Sequence, residues 1–539
     1  MTGLRIKNDF RHYSVISLSC FFLLLKSAFT DLSTDKYFVP NCSAKLNFVA
    51  SHSCTYRVYT NRIALSEKQE MILRDAFQDI FGDKRLDVRG SKIVKDLFVR
   101  GTHSIRQLTQ SNAKQKGCYR FLENERTTEA AIIKGISARC RAAVKGKVVL
   151  SIQDTSEINL YNHKNRIKYD GSIGTTNAPV NGLGFMIHPS LVVDAATCFP
   201  YGLCHVEMFN RSLESEVPDT KGKHVYKKLD ISQKESNKWL ASSLAAKECL
   251  KDAAMVIIVE DREGDIYEQF ATIPDERTHL LIRAKSDRTL PEGDKLFSRL
   301  TSCIVAGTYS IQIGGDKRKG QQKRTVNLEV RFTEVTIKNS SRTAKNIAST
   351  VTLYCVEAKE TGSKVKQPVC WRLLTTIPVT TLEEALIIIE WYSWRWMIEE
   401  VFRILKKEGF DIEASELGTG RSVRKLCLLM LDAIIKIFQM RICLELDEGE
   451  PLPASICFNK EEIECIEIYC SDLEGKTRKQ KNPYPKSSLQ YATWVIARLG
   501  GWKGYASERK PGITTLWTGL KNFYNIFKGW RVAKDVYTR

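Results

Sequence analysis

The sequence predicts an α/β fold in which a strand-rich centre, residues 147–378, lies between helical regions at either end. Three observations predict it. Apolar residues recur at spacings of three and four in 66–140, 381–409, 421–445 and 486–539, the period of an amphipathic helix. Between these stretches, short β-branched runs bounded by turn residues read as strands. One helical run, "SNKWLASSLAAKECL" (236–250), separates two strand groups, which marks a mixed rather than an all-β architecture.

Taken in order, "SEKQEMILRDAFQDIFGDKRLDVRGSKIVKDLFV" (66–99) reads as a basic helical stretch. Arg85 and Arg89 are four apart there, so a helix presents both on one side. "KGCYRFLENERTTEAAIIKGI" (116–136) reads as a turn leading into another helix. "KVVLSIQDTSEI" (147–158) is an apolar strand run ending in Asp154, followed by strands in "HPSLVVDAATCF" (188–199) and "YGLCHVEMF" (201–209). After the 236–250 helix, "MVIIVEDREGD" (255–265) is another strand, with Asp261 at its end. Residues 279–378 are mainly strand-like, with the basic loop "GGDKRKGQQKR" among them, and read as a β-rich insertion. Thr381 and Glu384 form a T-x-x-E capping box opening a helix that runs to a C-cap at Gly409. "EGKTRKQKNPYPK" (474–486) reads as a basic linker between the last helical stretches.

Composition narrows the classes of function. With 539 residues, 43% apolar and 27% charged, the chain is globular and long enough for two or three domains. Its 82 Lys and Arg against 62 Asp and Glu leave +20, a balance that suits a polyanion, nucleic acid before a membrane surface. A solubilising surface is the alternative. The 16 cysteines are scattered, with no C-x-x-C pair and no zinc spacing, so reduced thiols in a cytoplasmic protein fit better than a disulfide scaffold. Residues 11–29, "RHYSVISLSCFFLLLKSAF", resemble a secretory signal and are too short for a comfortable membrane span. A start codon assigned too far upstream is the preferred reading, with Met71 one later start, and residues 1–60 stand apart as an atypical extension. The sequence has no internal repeat and no Gly-rich phosphate loop.

The chemistry concentrates in "IIIEWYSWRWMIEEVFRILKKEG" (387–409). On a straight helix turning about 100° per residue, Tyr392, Arg395, Glu399 and Lys406 share one stripe about 60° wide. Trp391, Trp394, Ile398, Val401 and Leu405 form the adjoining apolar face. A solvated edge with an ordinary Arg–Glu pair is the plain alternative. Asp154 and Asp261, each ending an apolar strand, supply two further carboxylates. Phosphoryl transfer on DNA uses acidic oxygens converging on two divalent ions about 3.5–4 Å apart. Magnesium takes a few carboxylates and keeps several waters. Strand-end aspartates often merely cap turns, and spacing does not dismiss Asp194 and Asp265 from the same role.

With these residues in view, the sequence resembles a DDE transposase of the insertion sequence four family, close in organisation to the transposon five transposase. Its Y-x2-R-x3-E-x6-K signature is met by Tyr392, Arg395, Glu399 and Lys406. "QDTS" and "DREGD" resemble the segments holding the two catalytic aspartates, here Asp154 and Asp261. "FGDKRL", "GCYRFLEN", "KESNKWLA", "WRWMIEE" and "SLQYATWVIARLGG" also resemble family segments, in the expected order, so the resemblance covers roughly 66–539.

The resemblance implies a ribonuclease H-like catalytic core with a β-rich insertion, flanked by helical regions. The implied domains are a DNA-end-binding region at 61–140, a catalytic domain at 141–410 with its insertion at about 279–378, and a dimerisation region at 411–539. Asp154, Asp261 and Glu399 would bind two Mg²⁺ ions, with Mn²⁺ able to substitute. A water-made nick, a hairpin formed by the freed 3′-hydroxyl, its opening and joining to target DNA would follow, within a homodimer holding both transposon ends. Trp371 matches a tryptophan that stacks a flipped base, and Trp396 a second family tryptophan. Arg283, Lys285 and Arg288 match backbone-binding residues, and Arg85 and Arg89 match the end-binding region. Tyr267 departs from the histidine of some members. The implied location is cytoplasmic, at the nucleoid, with DNA and no membrane as partner. A catalytically inactive relative that binds DNA or inhibits transposition remains the alternative.

Overall fold

The centre of the molecule is a mixed sheet whose two middle strands are buried on both faces. The computed structural model describes residues 76–537 apart from 110, 178–181, 212–228, 314–323, 340–345, 363–367, 408, 447–450 and 506–507. The signal-like run 11–29, Met71 and all but the last residue of the basic loop 314–324 lie outside the described residues. The strands are β1 (Val148–Gln153), β2 (Ser156–Asn159), β3 (Gly174–Thr176), β4 (Gly182–Asp194), β5 (Pro200–Phe209), β6 (Met255–Glu260), β7 (Thr278–Arg283), β8 (Gly307–Ile313), β9 (Arg324–Lys338), β10 (Thr350–Glu360) and β11 (Cys370–Thr375). They follow the order β2-β4-β1-β6-β7-β11-β10-β9-β8, with β3 and β5 pairing β4.

"VVLSIQ" and "MVIIVE" are almost entirely buried, as continuous apolar runs are in the parallel part of a sheet. β1 pairs parallel with β6, Val148 facing Met255 and Ile152 facing Val259. Carrying that register on by two residues sets Asp154 beside Asp261. β6 pairs parallel with β7, while β4, β11, β10 and β9 join antiparallel. The sequence reading missed β2, β3 and the first half of β4. Their Gly- and Asn-containing stretches look like loops, and pairing against a long neighbour makes them strands.

Helices flank this sheet. The first group is α1 (Lys84–Arg100), α2 (Ile105–Thr109), α3 (Asn112–Glu123) and α4 (Glu129–Ala143). Asp83, Ser111 and Thr128 cap α1, α3 and α4 through their side-chain oxygens. "KGCYRFL", expected as a turn, lies inside α3: Ser111 starts a helix earlier than Gly117 can break it. Next come α5 (Asn237–Cys249), α6 (Tyr267–Thr272), α7 (Leu296–Ser302), α8 (Leu382–Ser393) and α9 (Trp396–Lys406). The last four are α10 (Gly420–Cys443), α11 (Lys460–Leu473), α12 (Leu489–Leu499) and α13 (Ile513–Tyr537). α10 is buried around nearly its whole circumference, and its buried Arg424, Lys425 and Asp432 are paired with Glu129, the Leu122 carbonyl and Arg139. It packs against α1, α4, α12 and β5.

The helix expected from Thr381 to Gly409 is two helices. Thr381 and Glu384 do form the capping box, but the chain breaks at Trp394 and Arg395. There Arg395, Met397 and Ile398 bond three residues back, to Tyr392, Trp394 and Arg395 carbonyls, the tighter winding of a 3₁₀ turn. Trp391 Nε1 donates to Ala195 O at 2.8 Å and anchors the first half. Lys407, not Gly409, caps α9. Among the described residues no helix is long and apolar enough to cross a membrane, and the described cysteines are free thiols.

Apart from a short stretch at 312–324, the described residues form one compact unit. Trp517 of α13 is one of its ties: its ring lies against Gly101 and Gly409, and its Nε1 donates to Phe98 O at 3.0 Å. Gly101 has φ +54, and a Cβ there would stand 2.5 Å from the Trp517 ring. Gly101→Ala is therefore expected to lower unfolding free energy by about 2–4 kcal/mol, left-handed strain plus overpacking, measured by denaturant titration.

Candidate active site

Asp154 and Asp261 each stand one residue beyond the end of a buried strand, side by side by register, at the carboxyl ends of β1 and β6. The first accepts from Thr155 N at 2.8 Å. The second accepts from Glu263 N at 2.8 Å and caps the 3₁₀ turn Arg262–Gly264. Glu399, in the first turn of α9, is the third carboxylate of the group, with its side chain 36% exposed.

Arg395, at the break between α8 and α9, joins this group together. Its Nη1 donates to Asp154 Oδ2 at 2.9 Å and its Nη2 to Glu399 Oε1 at 2.5 Å. Burial pushes the Asp154 carboxyl up to about 7 against the pull of Arg395, and the charges of Asp261 and Glu399 push the same way. Burial opposes the Arg395 charge, yet Asp154, Tyr392 and Glu399 outweigh it and hold its proton more tightly than usual. Asp261 and Glu399 both favour a proton or another positive charge at Asp154, and here a guanidinium supplies it.

The remaining signature residues have distinct surroundings. Tyr392 is buried, with its ring edge-to-face with Trp371 at 6.1 Å. Burial raises its hydroxyl, which shares a hydrogen bond with Arg283 and feels Asp261. Arg283, at the end of β7, also donates to Cys370 O at 3.1 Å. Lys406 turns instead toward β2, donating to Glu157 O at 2.7 Å and pairing with Glu413 at 3.3 Å. The straight-helix stripe therefore needs correction: the break leaves Tyr392 and Arg395 buried, while Glu399 and Lys406 remain partly exposed. Trp396 is half-buried beneath Arg395, 5.3 Å from guanidinium carbon to ring centre. Trp371 lies in β11 and is buried.

Asp194, ending β4, and Asp265, just after the 3₁₀ turn Arg262–Gly264, are structural. Asp194 holds the β4–β5 turn, accepting from Ala196 N, Thr197 N, Thr197 Oγ1 and Tyr201 OH. Asp265, fully buried, accepts from Lys285 N at 2.7 Å and pairs with Arg288. It fixes the loop that carries Lys285 and Arg288, and Arg288 is thereby engaged within the chain. Lys285 keeps an exposed side chain. Arg85 and Arg89 line one basic groove on α1 with Lys84, Val88 and Lys92. Arg85 is 91% exposed, while Arg89 lies over Gly117 of α3. Sequence reasoning missed the Arg283–Tyr392 bond and the Arg395–Asp154 bridge, because both link residues far apart in the chain.

Comparison with known families bears on these residues directly. Residues 243–435 match the family model described as the transposase DDE domain. Residues 72–127 match that for transposase DNA-binding. Two separate segments of the chain are thus similar to transposase domain models. Asp261 and Glu399 lie inside the first match and Arg85 and Arg89 inside the second. Asp154 precedes the DDE match and joins it through β1–β6 pairing. A solved structure, a piggyBac transposase synaptic complex with hairpin DNA, aligns over 67% of each chain at 8% identity and TM-score 0.32. That likeness carries no argument.

The donor chemistry suits a hard divalent cation: three carboxylates, with room for waters where Glu399 is exposed. Among the described residues no group of three His, Cys, Asp or Glu stands ready to hold a metal ion. The Arg395 guanidinium stands between Asp154 and Glu399. Asp154 ordinarily titrates at 3.8 and in the fold at about 7. Its proton is bound more tightly folded than unfolded, so without divalent ions the chain loses stability as pH rises from about 4 to about 7. Asp154→Asn is expected to flatten that slope in melting curves taken across the window.

Proposed function

We propose that this chain is an active DDE transposase that cuts DNA at transposon ends and joins it to target DNA. The bridge from Arg395 to Asp154 and Glu399, beside Asp261, carries this reading. It ties together acids from two separate parts of the chain, beside a third that strand register brings to the same end of the sheet. In this reading residues 141–410 are a ribonuclease H-like catalytic domain with its insertion at about 279–378, 61–140 bind the DNA end, and 411–539 serve dimerisation. The homodimer would hold both ends before cutting, at the nucleoid.

Asp154, Asp261 and Glu399 would hold two Mg²⁺ ions, with Mn²⁺ able to substitute. Bound there, divalent cations supply Lewis acidity toward the phosphate and an acidified water. The protein's own residues bind and orient. Arg395, released from Asp154 and Glu399, becomes a bidentate phosphate donor. Arg283 and Tyr392 present a paired guanidinium and phenol to the backbone, and Lys406 a point charge further along. Lys285, on its Asp265-anchored loop, adds an exposed cation, with Arg288 beside it. Arg85 and Arg89 in the α1 groove fix the position of the end rather than read its sequence. A freed 3′-hydroxyl would attack the opposite strand to make a hairpin, whose later opening regenerates the end for joining. A base displaced by that bend would stack on Trp371, whose ring must first leave Tyr392, with Trp396 flanking the path. Such stacking is worth about 1–3 kcal/mol per base.

The test is a labelled duplex from the gene's own flanking DNA, with Mg²⁺ and without. Glu399→Ala is expected to lower cleavage by more than about 100-fold, the loss seen even for partners one step removed from a metal. End binding in a gel shift should stay unchanged. Cleavage by Glu399→Ala at the wild-type rate would remove Glu399 from the catalytic set. Specific binding without any Mg²⁺-dependent product from the wild type would mark the chain as a regulatory, inactive relative.

A further inference from the structure

Behind the strand ends, on the side of the sheet away from Asp154 and Asp261, runs a second polar cluster. Side chains alternate across a strand, so Gln153 and Glu260, each just before an aspartate, share the opposite face. Gln153, His188, Ser243, Glu260 and Gln269 are all fully buried. They form one hydrogen-bonded chain. Gln269 Nε2 donates to Glu260 Oε1 and Oε2 at 2.7 and 2.8 Å. Ser243 Oγ donates to Glu260 Oε1 at 3.0 Å. Gln153 Nε2 reaches Ser243 Oγ at 3.4 Å, and His188 Nε2 lies 3.4 Å from Gln153 Oε1. His188 Nδ1 and Thr155 Oγ1 are 2.8 Å apart. A neutral imidazole protonated on Nε2 completes the chain, donating to Gln153 and accepting from the Thr155 hydroxyl.

We infer that this buried chain, Thr155–His188–Gln153–Ser243–Glu260–Gln269, is a positioning latch that fixes Asp154 relative to Asp261. It begins at Thr155, whose N–H holds Asp154 Oδ1. It passes through Ser243 of α5 to Glu260, the residue before Asp261, and ends at Gln269. The turn capped by Asp261 rests on it as well: a Cβ on Gly264 would stand 2.0 Å from Glu260 Oε2. Trp239 closes the other side, its ring edge-to-face with His188 at 4.6 Å. A buried polar network persists when its members are paired and then fixes one geometry. Here it spans β4, β1, α5, β6 and α6, the elements that set the two aspartates. The β1–β6 pairing stops at Ile152 and Val259; Gln153 and Glu260 pair only outward, with Ser190 of β4 and Ile282 of β7, so between these two residues the tie is made by side chains.

The inference rests on the reading of Asp154 and Asp261 as cation ligands. It is tested by Mn²⁺ binding to the full chain in calorimetry without DNA, alongside melting curves. Ser243→Ala, which removes the middle hydroxyl and adds no volume, should weaken Mn²⁺ binding about tenfold while the protein stays folded. Glu260→Ala should weaken it at least as much. Glu260→Gln, which keeps the side-chain shape and one acceptor oxygen for Ser243 and Gln269 but turns the other into a donor, should recover part of the binding lost in Glu260→Ala. Wild-type affinity in Ser243→Ala, or a loss in Glu260→Gln as large as in Glu260→Ala, would overturn the latch. Asp154→Asn separates the two ideas: Mn²⁺ binding that survives there would defeat the ligand assignment itself. Loss there with no effect of Ser243→Ala would defeat the latch alone.

Discussion

The ion bridge from Arg395 to Asp154 and Glu399 is the interaction on which the site depends. Three carboxylates at one end of a sheet repel one another, and in low dielectric that repulsion is large. A single guanidinium with two forked donors offsets it, taking one oxygen from a strand end and one from a helix. The same bridge explains the helix break. An unbroken helix across Trp394 would aim Arg395 differently, whereas the tight turn directs its side chain back toward β1. With Trp391 tied to Ala195, the α8–α9 corner is held from both sides.

A second constraint is register. Asp154 and Asp261 are neighbours because β1 and β6 are parallel and in step, and each strand is also held in register by its outer neighbour, β4 or β7. Asp265, four residues after Asp261, cannot replace it: it is buried and turned toward Arg288. The proposed ligands and their decoys thus differ in partners rather than in position along the chain. Asp194 satisfies its own turn, and Asp265 its own loop, whereas Asp154 depends on a cation from elsewhere.

Much of this was legible in the sequence. The apolar runs before Asp154 and Asp261 mark their strands, and Thr381 with Glu384 marks the start of α8. The spacing of Tyr392, Arg395, Glu399 and Lys406 singles out the helix. What spacing left open is tertiary. Periodicity treats a helix as straight, so the break at Trp394, set by contacts with Ala195 and Asp154, was invisible. Short β2 and β3 owe their form to β4, not to their own residues. The Gln153–Ser243–Glu260 chain pairs residues 90 and 17 positions apart, and no local pattern announces it. Trp371 reads as a strand residue or as a stacking face by sequence. Its buried contact with Tyr392 shows that the second role requires movement.

The central claim is that Arg395 holds, in the absence of metal, the position a divalent cation takes between these carboxylates. Its most direct test is anomalous diffraction from crystals of the full chain soaked in Mn²⁺. The expected result is anomalous density between Asp154 and Glu399, beside Asp261, with the Arg395–Asp154 contact broken. Density elsewhere, or none at all with the Arg395 bridge intact at saturating Mn²⁺, would contradict it.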